Sequence, residues 1–200
     1  MKSIYLKIGL WLVILFFGYK VVMSIMEPVR FENEKDRREK VVIDLLKDIR
    51  NCQIAYKAIH NKYTSSFDTL VDFVRDGEIP VVNIIPDPND TTFTKTINDT
   101  IAYINVADSL FKHRANFTAN MIRFVPFSNG VEFSIDANII ERSKVKINVF
   151  EVTAYYKDFL IGMDEQLIIN LIKKLEEFEK FKGLKVGSMT EASTDGNWEF

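Results

Sequence analysis

Apolar residues dominate the start of the chain, where the segment Ile4–Met26 has Lys7 and Lys20 as its only charged side chains. As a helix, this segment would span roughly 34 Å, which is enough to cross the hydrocarbon core of a bilayer. Both lysines lie near its ends, where their long side chains can reach the headgroups. The pattern predicts a transmembrane anchor over residues 1–26. The side chains expected to contact lipid are Ile8, Leu10, Trp11, Leu12, Val13, Ile14, Leu15, Phe16 and Phe17.

A cleaved signal peptide is the alternative interpretation of this segment, with Lys2 and Lys7 as its basic part. A signal peptidase site needs small residues at alternate positions. Here Ser24 is followed by the bulky residues Ile25 and Met26. We therefore favour an uncleaved anchor.

The pattern then changes to that of a long amphipathic helix, which we place over residues 27–62. Apolar or small residues recur at the spacing of one helix face. They are Val42, Leu45, Leu46, Ile49, Cys52, Tyr56 and Ile59. The preceding "ENEKDRREK" is charged on every face, which predicts a solvated stalk that lifts a domain off the bilayer; a charged linker is the alternative. Ile49 and Tyr56 are candidate interface residues on the apolar face.

A short second helix and a set of strands follow the long helix. Asn61 tolerates a left-handed turn, Ser65 or Ser66 can cap "FDTLVDFV", and Gly77 closes it. The strand candidates are "IPVVNII", "TIAYINV", "KVKINVFEV" and "LKVGSM". The stretch "MIRFVPFSNGVEFSIDA" reads as a hairpin whose tip lies at Ser128–Gly130. In "KVKINVFEV", alternation places Val145, Ile147 and Val149 on one side of the strand.

The C-terminal part predicts one more helix and a polar tail. Asp164 caps "EQLIINLIKKLEEFEKFK" and Gly183 ends it. Its expected buried stripe is Leu167, Ile168, Leu171, Leu175 and Phe178. Residues 63–190 would form a globular head, and the tail 191–200 would be loose or dock on a neighbour through Trp198 and Phe200. The fold class is α+β: a transmembrane helix continues into a stalk helix, which packs with a C-terminal helix on a small antiparallel sheet.

Composition and charge narrow the function classes. A chain with 47% hydrophobic and 12% aromatic residues can build a packed core. Residues 1–26 contain three lysines and no acid, so the rest of the chain is net acidic. Nucleic-acid binding needs clustered cations, and we therefore expect no nucleic-acid partner.

No catalytic, cofactor-binding or metal-binding residue emerges from the motifs. His60 and His113 are the only histidines, each without a second ligand at metal spacing. Cys52 is the only cysteine, which we expect to pack as a small apolar residue, with a reactive thiol or an intermolecular disulfide as the alternative. Asp87 and Asp90 could hold calcium, but a bare turn is favoured. We expect no enzyme and no cofactor.

The stretch "IRNCQIAYKAIHNKYTSSFDTLVDFV", between an apolar segment and a strand-rich region, resembles the stalk of type IV pilins and secretion pseudopilins. That resemblance implies a long helix packed on an antiparallel sheet. The chain departs from the pilin pattern, in which a glutamate lies five residues into the apolar segment, because no glutamate precedes Glu27. The motifs "KYTSSFDTLVDFV" and "GLKVGSMTEASTDGNWE" also resemble an uncharacterised membrane-anchored family of Bacteroidota-type bacteria.

The second resemblance bears on orientation. Basic residues are more numerous after the anchor than before it, which alone favours a cytoplasmic head. Bacteria of that type attach O-linked glycans in the periplasm at Asp-Ser/Thr triplets, which the resemblance places at Thr91, Thr100 and Ser109, while Thr69 in a fourth triplet belongs to a helix surface. We expect a single-pass inner-membrane protein with a periplasmic head.

These observations lead to two functional hypotheses. The first is a structural subunit of an envelope-spanning assembly for secretion, motility or surface display. It would act by contacts with the lipid bilayer, with other envelope proteins and with copies of itself. The alternative is a membrane-tethered periplasmic binding or sensor module.

Overall fold

The computed structural model describes residues 2–86, 96–114 and 117–199. Its helices are α1 (Lys2–His60), α2 (Phe67–Asp76), α3 (Val106–Phe111), α4 (Tyr156–Phe159) and α5 (Glu165–Glu177), with a 3₁₀ turn at Ala119–Ile122. Its strands are β1 (Glu78–Pro86), β2 (Thr96–Asn105), β3 (Ser134–Arg142), β4 (Val145–Tyr155) and β5 (Gly183–Gly187). The predicted α+β class, with a long N-terminal helix, small antiparallel sheets and a C-terminal helix, is confirmed.

The first helix, α1, is continuous over 59 residues, although Pro28 lies inside it. Proline removes one backbone hydrogen bond but does not end the helix here. The predicted anchor and stalk are therefore one rod. It ends at His60 because Asn61 adopts a left-handed backbone conformation with φ of 56°, which closes the last turn through a bond from its N–H to the Lys57 carbonyl.

The caps of α2 follow local chemistry. The Ser66 side chain accepts a hydrogen bond from the Thr69 N–H, and the Gly77 N–H donates to the Phe73 carbonyl. Both ends agree with the prediction. The buried face of α2, formed by Phe67, Leu70, Phe73 and Val74, packs in the same core as α1.

The strands form two separate sheets. One is a three-stranded antiparallel sheet in the order β3-β4-β5, and the other is the hairpin β1–β2. Strands β3 and β4 are joined by Ser143 and Lys144, both left-handed with φ of 51° and 66°. A two-residue turn with positive φ at both residues has a backbone twist that matches the twist of the two strands it joins. The sequence analysis missed it because neither residue is a glycine or an asparagine.

Three details of the head correct the sequence-based expectations. Around Ser128–Gly130 the chain does turn tightly, but a single bridge joins Phe124 to Glu132, and β3 pairs with β4 instead. On the side of β4 that carries Val145, Ile147 and Val149, Val145 is exposed but Val149 is buried, and Phe150, Val152 and Ala154 on the other side are buried as well. In α5 no residue is fully buried, and Phe178 is exposed just beyond its end.

One hydrophobic core joins α1 and α2 to the three-stranded sheet and α4. From α1 it takes Phe31, Val42, Leu46, Ile49, Cys52 and Tyr56. Because Phe31 is already covered, the contact with the head begins before Val41, and one face of the segment "ENEKDRREK" lies against the head. The other residues of the segment are exposed, as expected of a solvated helix: Glu32, Asn33, Asp36, Arg37 and Lys40. Arg38 donates from Nη1 to the carbonyls of Phe159 and Ile161, at 3.0 and 2.9 Å. Head and helix are thus in contact on one face of the charged segment.

The tail packs on its own domain. Gly187 donates from its N–H to the Asp195 carbonyl at 2.9 Å, and Asn197 donates to the Lys185 carbonyl at 3.0 Å. The Arg50 guanidinium also pairs with Glu199 at 2.9 Å. Residues 193–199 therefore extend the edge of β5 instead of hanging free, and Phe200 lies outside the described residues.

Candidate functional site

The N-terminal half of α1 presents apolar side chains around its whole circumference. A stretch of this helix with a mean hydropathy of 1.9 is 0% buried against the rest of the protein. Leu10, Trp11, Leu12, Val13, Ile14, Leu15, Phe16 and Phe17 are all exposed, and the side chain of Ile8 lies outside the described set. This helix is long and apolar enough to span a membrane, since apolar side chains on all faces suit a lipid environment.

The head meets α1 immediately beyond this apolar half. A groove of about 290 Å³ lies between α1 and the start of α5. It is lined by Glu27, Arg30, Phe31, Glu34, Met163, Asp164 and Leu167. Glu27 is the first residue after the apolar segment. The lowest part of the head on the helix is therefore the segment Met163–Leu167, which we call the basal edge.

A polar cluster secures the charged segment of α1 against α4. Lys35 lies within ion-pair distance of Glu32, Asp36 and Glu39. Burial raises the pKa of the Glu39 carboxyl, while the Tyr156 hydroxyl and Lys35 act in the opposite direction. Burial, together with the nearby Glu39 charge, also raises the pKa of Tyr156. The cluster is a structural contact that holds the two helices together.

Beside this cluster, two arginines of α1 hold a loop of the head. The Arg37 and Arg38 guanidinium groups lie 5.3 and 5.1 Å from the centre of the Phe127 ring, a cation–π geometry. Both arginines also pair with Glu34 and lower the pKa of that carboxyl to about 2. Phe127 has a φ of 60°, a conformation that a bulky residue rarely adopts. These contacts keep that conformation in place.

The hairpin β1–β2 exposes several large apolar side chains. Val82, Ile101, Tyr103 and Ile104 are exposed, and we call these four residues the hairpin surface. Tyr103 is 65% exposed and Ile101 63%. Within the described part of the chain the hairpin has no third strand, so no described strand pairs with the outer edge of β1 or of β2.

Two adjoining grooves lie on one side of the head. The first, of about 560 Å³, runs between α1 and residues 118–126, and the second, of about 590 Å³, runs along α2. Both share Thr118 and Asn120. In the first groove, Arg114 forms an ion pair with Asp48, whose pKa is raised by burial and lowered in part by Arg114. Apolar walls with a few polar groups are typical of ligand or peptide grooves.

The candidate interface residues of α1 are in the core. Ile49 is fully buried, and Tyr56 is 7% exposed. Both pack against the head, because the apolar face of α1 is the face that the sheet and α2 cover; the expectation that they contact a partner is therefore wrong. Trp198 is partly buried on the same core. Phe200 cannot be placed, because it lies outside the described residues.

The candidate glycosylation residues are only partly placed. Thr100 on β2 and Ser109 on α3 are exposed, while Thr91 belongs to residues 87–95, which are not described. Exposure makes Thr100 and Ser109 accessible to an enzyme, and their modification stays a prediction. The calcium alternative at Asp87 and Asp90 falls in the same undescribed range.

The histidines and the cysteine lie apart from one another. His60 is exposed at the end of α1, where its ring lies 4.3 Å from that of Tyr56, and His113 is exposed after α3. Cys52 is fully buried, as predicted, and burial raises the pKa of its thiol, which disfavours the reactive thiolate. Within the ranges described, no group of three His, Cys, Asp or Glu side chains could hold a metal ion.

Sequence reasoning missed one buried polar contact. The Gln53 side chain, with no exposed surface, donates to the Thr64 carbonyl at 2.6 Å and accepts from the Thr64 N–H at 3.1 Å. It thereby satisfies the backbone of the turn between α1 and α2. In the sequence, Gln53 lies next to Cys52 on the apolar face of α1, and a polar residue at such a position predicts a buried hydrogen bond.

Comparison with protein-family models, with curated proteins and with solved structures finds no match for this chain.

Proposed function

We propose that this chain is a structural subunit of an envelope-spanning assembly, pilin- or pseudopilin-like in layout, which acts by contacts with other envelope proteins and with copies of itself. The observation that carries this proposal is the hairpin surface. Ile101 and Tyr103 share one face of β2, and Val82 and Ile104 lie on the other, so large apolar side chains are exposed on both faces of this hairpin. Exposed apolar patches of this kind mark interaction sites.

The hairpin also has the backbone geometry for such a contact. A two-stranded sheet is marginally stable in water on its own. Its free edges can accept a further strand, which gives main-chain hydrogen bonds as well as apolar contact. A neighbouring subunit that adds a strand would complete this sheet.

The anchor supplies a second surface for assembly. A Cβ atom placed on Gly9 or Gly18 would meet nothing within 4 Å, so both glycines leave room for another helix to approach closely. Copies of the chain would pack by shape there, because the anchor lacks the glutamate that pilins carry in this segment.

Photo-crosslinking in intact cells tests the proposal. A benzoylphenylalanine residue replaces Tyr103 on the hairpin surface, and the matched control replaces the exposed Lys144 in the β3–β4 turn. We expect a ladder of self-adducts from Tyr103 and much weaker adducts from Lys144. Equal, weak crosslinking at both positions would contradict the proposal.

The grooves beside α1 and α2 favour a second candidate, a membrane-tethered binding or sensor module. Their combination of apolar walls with Arg114 and Asn120 suits a ligand or an extended peptide. In the crosslinking experiment, a single adduct with one other protein, in place of a ladder, would support this candidate.

We further propose that the head lies in the periplasm of a bacterial inner-membrane protein. This proposal rests on the Asp-Ser/Thr triplets of the sequence and on the resemblance that reads them as periplasmic glycosylation sites. Thr100 and Ser109 are exposed, so an enzyme on that side of the membrane could reach both. Protease added to spheroplasts should remove the head, with α1 up to the membrane retained. Protection of the head until lysis would place it in the cytoplasm.

A further inference from the structure

We infer that the head rests directly on the phospholipid bilayer that holds the anchor, through the basal edge Met163–Leu167. This contact depends on the anchor being inserted but not on any assembly with other proteins. It replaces the picture of a head raised on a free stalk.

The height of the basal edge follows from the helix that it touches. The basal edge shares a groove with Glu27 and Phe31, and Glu27 directly follows the apolar segment that ends at Met26. At about 1.5 Å per residue, Phe31 lies roughly 7.5 Å above Met26 along the helix. The headgroup layer on each side of a bilayer is about 5–8 Å thick. The groove therefore lies within the headgroup layer or at its upper boundary.

The basal edge is held at this height by defined contacts. Arg38 donates hydrogen bonds to the carbonyls of Phe159 and Ile161, two residues that lie just before the basal edge in the chain. The Met163 N–H donates to the Leu160 carbonyl at 3.1 Å, and Asp164 caps α5 by accepting from the Leu167 N–H at 2.8 Å. A tilt of the anchor by about 20° shortens the vertical distance by only a few per cent.

The chemistry of the groove suits zwitterionic lipids. Arg30 can pair with a lipid phosphate, and the carboxylates of Glu27 and Asp164 can pair with a headgroup ammonium. Phe31, Met163 and Leu167 provide apolar contact beside them. A purely anionic surface would be repelled by Glu27 and Asp164, while the third carboxylate of the groove, Glu34, is paired with Arg37 and Arg38. The occupant we assign is therefore a bilayer of zwitterionic phospholipid.

Fluorescence quenching in proteoliposomes tests the inference with the full-length chain. The vesicles contain phosphatidylethanolamine and phosphatidylcholine, a fraction of the latter with a nitroxide on its headgroup. The variant Gln166→Cys carries a fluorophore on the basal edge, and Lys146→Cys carries it near the opposite end of the head, where Asn148 contacts Asn61. Cys52 is buried, so it does not compete for the label.

Val29→Cys serves as the reference for insertion, since Val29 is exposed three residues beyond Met26. We expect strong quenching at positions 29 and 166 and several-fold weaker quenching at 146. Quenching at 29 with position 166 as weak as 146 would overturn the inference, because the head would then stand away from the bilayer. Weak quenching at all three positions would overturn it too, because the anchor would not be inserted. The crosslinking ladder from Tyr103 depends on the hairpin surface and not on the basal edge, so weak quenching at position 166 alone leaves the ladder unchanged.

Discussion

Leu12 and Leu46 lie on the same helix, yet Leu12 is 63% exposed and Leu46 is fully buried. Before Glu27, apolar side chains surround α1 and nothing in the described structure covers them. After Phe31, the apolar side chains occupy one face, and the head covers that face. One backbone conformation thus serves two environments, and the distribution of side chains around the helix distinguishes them.

The two halves of α1 also differ in what can remove their apolar surface from water. In the second half the apolar area is removed from water by the protein itself, at about 25 cal/mol per Å². In the first half that gain is available only from a bilayer. The stability of the head should therefore depend on the second half, and membrane attachment should depend on the first.

The largest expected effect is on the anchor. Aspartate at both Val13 and Phe16 should prevent stable insertion, since each charge at the centre of a spanning helix costs about 2.5–3.5 kcal/mol. The measurement is the fraction of protein that stays with membranes after alkaline carbonate extraction. Asn33→Asp with Asn51→Asp adds two charges on exposed positions of the same helix and should leave the fraction unchanged. Full retention of the anchor variant would contradict membrane insertion.

A core truncation should have the next largest effect. Leu46→Ala should lower the free energy of unfolding of the head by about 2–5 kcal/mol, because it leaves a cavity. Leu12→Ala, the matched change in the first half, should leave that free energy unchanged. Urea unfolding in detergent, followed by Trp198 fluorescence in a Trp11→Phe background, measures both. Equal losses would mean that the two halves do not differ in their surroundings.

Removing the buried amide of the second half should cost less. Gln53→Ala leaves the N–H and the carbonyl of Thr64 without their partner, which should lower the free energy of unfolding by about 1–3 kcal/mol. Asn51→Ala, two residues away but exposed, should change it little. Hydrogen exchange of the Thr64 amide is a second readout, and we expect it to accelerate only in the Gln53 variant.

The smallest effect concerns the charged segment between the two halves. Because burial raises the pKa of Glu39, its ionised form disfavours folding once the pH exceeds the ordinary value of 4.5, and the cost is complete above the folded-state pKa. Glu39→Gln should therefore stabilise the head by about 1 kcal/mol or less near pH 8. Below pH 4.5, Glu39 is protonated in both the folded and the unfolded state. There the variant and the original chain should have similar free energies of unfolding.

Glu34→Gln is the matched control, with the opposite sign. Arg37 and Arg38 lower the pKa of Glu34 to about 2, so its charge favours folding at neutral pH and this contribution disappears as the pH falls from 4.5 towards 2. Unfolding curves between pH 3 and pH 8 compare the two. If Glu39→Gln destabilised the head at pH 8, Glu39 would not be a buried carboxylate at an unfavourable position.

Local signals predicted much of the fold. Asn61, Ser66 and Gly77 mark element ends in the sequence and in the structure alike, since capping depends on neighbours a few residues away. Cys52 was correctly placed in the core by helical periodicity. The turn at Ser143–Lys144 and the exposure of Phe178 were missed, because strand pairing and packing decide them.

The candidate surfaces were less accessible to such reasoning. Periodicity identified Ile49 and Tyr56 as an apolar face but could not tell whether a partner or the chain's own sheet covers it. The hairpin surface was not recognised either, because Ile101 and Tyr103 alternate like any half-buried strand. The basal edge appears only once α5 is placed against the first turns beyond the anchor.

By itself, the sequence determined the apolar anchor, the long helix that follows it and the ends of that helix, because hydropathy and capping are properties of neighbouring residues. Only the tertiary structure decided that one face of the charged segment is covered, that the tail completes the edge of β5 and that the head stands beside Glu27. The first and third outcomes depend on contacts between residues more than one hundred positions apart, such as Arg38 with Phe159. The tail pairs with β5 over a short stretch of chain, and Arg50 of α1 holds it through Glu199. Their energies are set by which surfaces meet, and no local pattern encodes that.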